Sequence, residues 1–271
     1  MNFFICPVCG SALERTEKSY TCPNRHGFDI AREGYVNLLP SGKANSAVPG
    51  DNKEMVSART RFLENGAYSV FADGIAQLVA EISSVNKSAV IFDAGCGQGY
   101  YDRVIKDKLP QSSFFGIDIS KFAVKYAASH NKDISYAVAG VYDMPVADGC
   151  CDITLSIFSP IAEKEFLRVA KAGAYLLIAV PGPRHLFGLK EILYKNPYEN
   201  EVINTDYDGF DFVKRVPMKS QIFIDDNELI MSLFAMTPYY WKTDVAGHEK
   251  LRGTSRLESE LEFDILVYKK S

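Results

Sequence analysis

The pattern of hydrophobic and polar positions divides the chain into three stretches. Residues 1–40 carry no sustained apolar run and are rich in turn formers, so they read as a small module that cannot build a core unaided. Residues 41–52 are polar and contain Gly42, Pro49 and Gly50, the composition of a linker or mobile loop. From residue 53 to about 84 an apolar stripe of Phe62, Val70, Phe71, Ile75, Leu78 and Val79 recurs near the helical period, with Asp51 or Asn52 placed to cap its start.

Beyond residue 88 short apolar runs alternate with helical segments. Strands are expected at 89–93, 113–118, 134–138, 151–157 and 174–180, with helices at 101–109 and 121–129. Strands buried on both faces have this continuous apolar character, and strand–helix repetition at this spacing implies a doubly wound parallel sheet. The C-terminal part offers strands at 221–224 and 262–268 around a helix at 226–234.

The chain has 271 residues, 47% hydrophobic and 24% charged, which suits one α/β domain with a small appendage. No apolar run approaches the roughly 20 residues that cross a bilayer. The N-terminus lacks a basic region followed by a long apolar one, so a cytoplasmic location without membrane association is expected. A net charge of -4 and a pI near 5.7 disfavour a general nucleic-acid coat protein. They leave room for an enzyme that holds RNA through a local basic patch.

Three of the six cysteines crowd the N-terminus in the form Cys6-Pro7-Val8-Cys9, then Cys22-Pro23-Asn24-Arg25-His26. Two close pairs on separate turns can supply the tetrahedral thiolate and imidazole set that suits Zn²⁺. With four ligands and no further candidate nearby, the ion is expected to be structural. The competing reading is unconnected buried cysteines and a surface histidine. Arg15, Lys18, Arg25 and Arg32 of the module are either phosphate contacts or an ordinary solvated face.

The second constellation is Asp93-Ala94-Gly95-Cys96-Gly97-Gln98-Gly99, between an expected strand and helix. Its glycines allow a tight turn and close approach of a ligand. The spacing is tighter than the G-x-G-x-x-G of dinucleotide sites, and an acid opens the loop. Asp118 ends the next strand, where such folds place an acid on ribose hydroxyls. Carboxylates on both sides of the loop oppose an anionic ligand and favour a cationic or neutral one; an amino group facing Asp93 suits the methionine part of S-adenosylmethionine better than a phosphate does. The competing reading is a tight turn without a ligand.

The sequence resembles the RlmA (RrmA) family of large-subunit ribosomal RNA guanine-N1 methyltransferases. The resemblance rests on the zinc motif, residues 33–40 (Glu-Gly-Tyr-Val-Asn-Leu-Leu-Pro), Pro49-Gly50-Asp51, the glycine loop through Tyr101, Pro181-Gly182-Pro183-Arg184-His185-Leu186, Met236-Thr237-Pro238 and Trp241. It implies a class I methyltransferase fold, an α/β Rossmann-like doubly wound sheet with an antiparallel C-terminal strand, behind a zinc module. It also implies a homodimer with a cleft for a 23S ribosomal RNA hairpin. The corresponding division is a zinc module at 1–40, a linker and helical lead-in at 41–84, and a methyltransferase domain at 85–271. Cys6, Cys9, Cys22 and His26 match the family's zinc ligands. Gly97 and Gln98 match its cofactor loop, where a Glu stands in place of Gln98 in relatives, and Tyr68 and His185 match residues that contact the cofactor; Gly95 and Gly99 complete the same loop. Phe158-Ser159-Pro160 departs from a Tyr-Ala-Pro pattern beside the reacting base.

Methylation at guanine N1 displaces a proton, and the candidates to receive it are His185, Asp152 and the Ser159-Pro160 segment. For His185 the alternative role is to hold the cofactor; for Asp152 it is to end a strand. Tyr239, Tyr240 and Trp241 are either a stacking face for an extruded base or core and dimer contacts. Two rival functions share the fold: a small-molecule methyltransferase of the quinone type, and a non-catalytic RNA-binding protein. The zinc module opposes the first and the intact acidic glycine loop the second. A nicotinamide dehydrogenase fails on glycine spacing.

Overall fold

A computed structural model of the chain describes residues 3–40, 49–202 and 205–271. Most of the expected linker, residues 41–48, lies outside the described residues.

The N-terminal segment contributes β1 (Glu14–Arg15), β2 (Ser19–Thr21), β3 (Gly27–Asp29) and β4 (Val36–Asn37). Next come α1 (Lys53–Glu64) and α2 (Ser69–Ile82), with a short 3₁₀ turn at Ser83–Val85. The alternating part runs β5 (Val90–Ala94), α3 (Tyr100–Lys108), β6 (Ser113–Asp118), α4 (Lys121–His130), β7 (Ser135–Val138), β8 (Cys151–Ile157), α5 (Glu163–Val169), β9 (Ala170–Pro181) and α6 (Phe187–Leu193). The chain ends with β10 (Phe210–Ile224), α7 (Asn227–Ala235), α8 (Tyr239–Lys242), α9 (Val245–Arg252) and β11 (Leu257–Lys270).

Among the described residues, eight strands form one sheet in the order β10-β11-β9-β8-β5-β6-β7-β4. The pairs from β9 through to β4 are parallel, whereas β11 runs antiparallel to both β9 and β10. This is the mostly parallel class I methyltransferase sheet with its antiparallel C-terminal strand. Strand order reverses beside β5, so the crevice at the strands' carboxyl ends opens between β5 and β8.

The helical stretch expected over 53–84 is two helices. Asn52 caps α1 by accepting from the Met55 N–H at 2.9 Å. Gly66 at φ +89° then ends it, with its N–H on the Leu63 carbonyl. The break resets the helical phase, which is why Val70, expected in the apolar stripe, is exposed while Phe71, Ile75 and Val79 are buried.

Helices α2, α3, α4 and α7 cover one face of the sheet with Phe71, Ile75, Ile105, Val124, Ile230 and Phe234. On the other face, α5 supplies Phe166 and Val169, and the N-terminal segment supplies Phe3, Phe4 and Leu13. Phe3 stacks on Phe115 of β6 at 3.7 Å between ring centroids. The N-terminal segment is thus a layer of the core: β4 extends the sheet beside β7, and the Ile5 N–H donates to the Pro145 carbonyl at 3.0 Å.

The C-terminal antiparallel pair is far longer than expected. Strand β10 begins at Phe210 rather than 221, and pairs with β11 from Phe210↔Lys270 to Ile224↔Leu257. At the sheet edge β10 keeps many side chains exposed, so its sequence carries charges and Pro217 without clean alternation.

Candidate functional site

Two sites emerge. The first is the N-terminal cluster, where the ligand atoms of Cys6, Cys9, Cys22 and His26 all lie within 4.8 Å of one another. Cys6 Sγ and Cys22 Sγ are each 3.4 Å from His26 Nδ1, and Cys9 Sγ is 3.7 Å from Cys22 Sγ. A tetrahedron with Zn–S bonds of about 2.3 Å has edges of about 3.7 Å, so these separations fit Zn²⁺. Cys6 sits on the turn after the isolated bridges of Phe4 with Val146 and Ile5 with Ala12, and Cys22 and His26 flank the turn between β2 and β3. Hydrogen bonding with Ser11 and Asn24 lowers the Cys9 thiol to about 5, toward the thiolate a metal requires. Arg15, Lys18, Arg25 and Arg32 are all exposed on this module.

The second site is a cleft of about 360 Å³ at the carboxyl ends of four parallel strands. The end of β5 contributes Asp93 and the loop after it Gly95 to Gln98, and β6 ends on Asp118. The segment after β7 adds Gly140 to Tyr142, and that after β8 adds Phe158 to Pro160. Asp118 ties two of these elements: its Oδ2 accepts from the Gly97 N–H at 3.0 Å and its Oδ1 from the Ser120 N–H at 2.7 Å. Gly95 has φ +97°, and an added Cβ would stand 2.3 Å from Ser159 Cβ. Gly97, at φ +54°, has no atom within 4 Å of where a Cβ would lie, so its backbone borders open cleft.

The cleft is acidic, with a further carboxylate, Asp102, buried behind its lining. Asp93 and Asp102 are buried, and Tyr136 Oη donates to Asp102 Oδ2 at 2.9 Å. Asn131 Nδ2 donates to Tyr136 Oη and to the Gly99 carbonyl, so α4 braces the start of α3. Burial raises the Asp93 carboxyl well above its usual range, and the neighbouring Asp102 and Asp118 add to the effect. Burial raises Asp102 to about 6. Asp118 is also raised by burial, against the two amide donors that favour its ionised form. Asp93 Oδ1 and Gln98 Nε2 are buried in this lining without a hydrogen-bond partner. A buried acceptor and a buried donor left open beside a glycine backbone suit a zwitterionic ligand, whose ammonium and carboxylate would satisfy one each.

Several expected site residues fall elsewhere. Asp152 begins β8, at the opposite end of the strand from the cleft, where its Oδ2 accepts from the Val90 N–H at 2.8 Å and Lys171 Nζ at 2.6 Å. It fastens strand starts and cannot reach a group bound at the carboxyl ends. Tyr68 and His185 are buried outside the cleft lining, packed on Phe263 at ring separations of 5.2 and 4.4 Å. Phe263 in turn packs on Phe158 at 5.3 Å, so both stand behind the cleft wall. Burial, with Lys190 nearby, pushes His185 down to about 3, leaving a neutral ring.

Ser159 does line the cleft, but its Oγ donates to the Ala94 carbonyl at 2.5 Å and lies 2.9 Å from Ser156 Oγ. The hydroxyl is a brace between β5 and β8. The aromatic run after α7 splits its roles: Tyr239 is buried, Tyr240 half-buried and Trp241 exposed, while Met236, just before it, reaches the cleft.

Other lining residues escaped the sequence reading. Arg59 of α1 faces the cleft and donates through Nε and Nη2 to Asp51 Oδ2, at 3.1 and 2.7 Å. Asp51 is held in turn by Ser120 Oγ, which donates to its carbonyl. The helical spacing of Arg59 and Leu63 was the available signal, since both project from one side of α1 into the cleft. Phe158 has φ +55°, an uncommon left-handed conformation for a bulky residue, and this turns its half-exposed ring toward the cleft mouth.

Comparison with known proteins finds two family models and several relatives. A family model described as "RlmA, N-terminal" matches residues 4–47, and one described as "Methyltransferase domain" matches residues 91–175. A Bacillus subtilis (strain 168) protein, named provisionally as a 23S rRNA (guanine-N(1)-)-methyltransferase, is 30% identical over 98% of this chain and 96% of its own length. A Streptomyces fradiae protein named 23S rRNA (guanine(748)-N(1))-methyltransferase is 27% identical over 90% of this chain and 88% of its own. A Micromonospora griseorubida protein, named provisionally with the same activity, is 30% identical over 89% of this chain and 88% of its own.

Proposed function

Since the chain belongs to the family of 23S rRNA guanine-N1 methyltransferases with an N-terminal zinc ribbon, we propose that it methylates N1 of a guanine in a hairpin loop of large-subunit ribosomal RNA and that its interstrand cleft holds the methyl donor. The carrying observation is the acidic, partly unsatisfied lining around the glycine loop. S-adenosylmethionine supplies, when bound, a methyl group on a cationic sulfur that is already an excellent leaving group.

The residues present fit that donor. Asp93 would hold the ammonium of its methionine part, and Gln98 Nε2 would gain an acceptor. Arg59, with a second face free of Asp51, would meet the carboxylate. Asp118 retains lone pairs for ribose hydroxyls. Gly95, Gly97 and Gly99 keep the loop narrow enough for backbone contact. Tyr68 and His185 support this site from behind, through Phe263 and Phe158.

On the other side of the cleft, Phe158 and Pro160 offer a flat wall for an extruded guanine. Ser159 fixes the spacing of that wall from Ala94. Displacement from a sulfonium needs mainly alignment of the reacting atoms, which can contribute about 7–11 kcal/mol. None of the three residues expected to take the N1 proton is placed to do so: Asp152 is remote, His185 is neutral and enclosed, and the Ser159 hydroxyl is committed to Ala94.

The corresponding division is a zinc module at 1–40, a lead-in at 41–84 and a donor-binding domain at 85–271. A cytoplasmic location and a homodimer that embraces one hairpin belong to the same proposal. No helix among the described residues is long and apolar enough to cross a membrane. The small-molecule reading is disfavoured by the zinc ribbon, and the non-catalytic reading by the intact acidic glycine loop.

The test is to map base methylation in ribosomal RNA from cells with and without the gene. One guanine of the large-subunit RNA should lose its N1 methyl group in the deletion strain. Identical maps would defeat the assignment.

A further inference from the structure

A second recess of about 620 Å³ lies between α1 and α4, outside the donor cleft. Among the described residues its cations are Lys53, Arg61 and Lys125 and no carboxylate lines it, in a chain whose net charge is -4. Its apolar surface includes Phe122, 40% exposed, and Tyr126. Tyr126 stacks on His130 at 3.9 Å with 21° between the rings. Cations interleaved with accessible aromatic faces suit a single-stranded nucleic acid, whose phosphates and bases take one of each.

The recess and the cleft share their walls. Helix α1 sends Arg59 and Leu63 into the cleft, and Lys53, Val56, Ser57 and Thr60 into the recess. At 100° per residue these sets occupy adjacent faces. Helix α4 does the same, with Ala123 toward the cleft and Phe122 and Tyr126 toward the recess. A strand whose guanine enters the cleft thus has its neighbouring nucleotides within reach of the recess.

The cations are available. Lys53 has no ion pair among the described residues. Arg61 meets Glu228 at 2.7 Å, and Lys125 meets Glu33 of the N-terminal module at 3.3 Å. Both pairs are solvent-exposed on the cation's side, the kind that contributes little and exchanges readily for phosphate.

Resting on the RNA-methyltransferase reading, we propose that this recess binds the unpaired RNA that flanks the target guanine. Phe122 and the Tyr126–His130 pair stack its bases, and Lys53 and Lys125 contact its phosphates.

The experiment measures binding of the full-length zinc-loaded protein to a short RNA hairpin with unpaired guanines in its loop, across a salt series. Lys53→Ala should weaken binding and reduce the slope of log affinity against log salt by about one. Phe122→Ala, at an exposed position, should weaken the loop-containing hairpin about tenfold and leave a fully paired duplex of equal length unaffected. Lys87→Ala, at the opposite end of the sheet, should change neither. Calorimetry with S-adenosylhomocysteine should be unaltered in all three variants, showing that the donor cleft is intact. If wild-type protein binds the hairpin and both recess variants match it in affinity and slope, the recess is not an RNA site and the enzyme assignment stands. If wild-type protein does not bind the hairpin, the RNA reading itself fails and this inference fails with it.

Discussion

The Gly97 N–H donates to the Asp118 carboxylate at 3.0 Å, so the glycine loop after β5 is moored to the end of the neighbouring strand. One carboxylate thereby sets the loop's position and offers its remaining lone pairs to a ligand. Asp118→Ala removes both. Hydrogen bonds to a charged group contribute about 1.5–3 kcal/mol each, so loss of even one should lower donor affinity at least about tenfold. Titration calorimetry with S-adenosylmethionine measures this, and an undiminished affinity would mean that the ribose lies elsewhere.

The buried Asp93–Asp102 pair makes the cofactor-free protein sensitive to alkali. Both groups hold their protons to higher pH in the folded chain than unfolded, where carboxyls titrate near about 4. The folded state therefore binds more protons, and stability falls as pH rises from that value through about 6, where Asp102 titrates. Asp102→Asn removes one of the two charges. A gain of ~1 kcal/mol would raise Tm at pH 8 by about 2–4 °C in a chain of this size. Thermal melts of both proteins at pH 5 and pH 8 settle the matter; a wild-type stability that increases over this interval would contradict it.

The same pair predicts proton release on donor binding. An ammonium placed on Asp93 favours its ionised form. Binding at pH 6–7 should release protons, giving observed enthalpies that depend on the ionisation heat of the buffer. Equal enthalpies in phosphate and Tris would show that Asp93 is not the ammonium partner.

Glycines 95 and 97 should fail in different ways. Gly95→Ala combines φ +97° with a 2.3 Å approach to Ser159 Cβ, so it should destabilise the fold by about 1–3 kcal/mol. Gly97→Ala meets nothing within 4 Å. It should fold with a smaller loss, near the 1–2 kcal/mol of left-handed strain, yet bind the donor poorly because its methyl occupies the cleft. Chemical denaturation beside calorimetry separates the two, and a Gly97→Ala protein with full donor affinity would place the cofactor away from this backbone.

Zinc should matter to the cleft as well as to the module. Purified protein is expected to carry about one zinc per chain by elemental analysis, and Cys22→Ala to lose it. Cys6 lies one residue beyond Ile5, which bonds to Pro145, and β4 pairs with β7, whose following residues Gly140 to Tyr142 line the cleft. Loss of the metal should therefore reduce donor affinity roughly tenfold in the absence of RNA. A zinc-free variant that binds the donor normally would show that the module's order does not reach that wall.

Local chemistry was enough to announce much of this protein. The spacing of Cys6, Cys9, Cys22 and His26 specifies a tetrahedral site because ligand reach is set by short turns. The apolar runs at 113–118 and 151–157 define β6 and β8 to the residue, since strands buried on both faces leave no other use for such runs. Asp93, the glycine loop and Asp118 are legible because βα turns in a parallel sheet place their residues at one edge by construction.

What the sequence could not settle depends on direction and on distant partners. Asp152 and Ser159 share β8 and its end, yet only strand polarity decides that Ser159 faces the cleft and Asp152 the far end. His185 has the side chain of a proton acceptor, and burial beside Phe263 makes it a neutral spacer. Arg59 looks like any exposed helical arginine until α1 is laid across the cleft. Strand β10 has no apolar signature, because an edge strand is held by the backbone bonds of its neighbour and leaves its side chains in water.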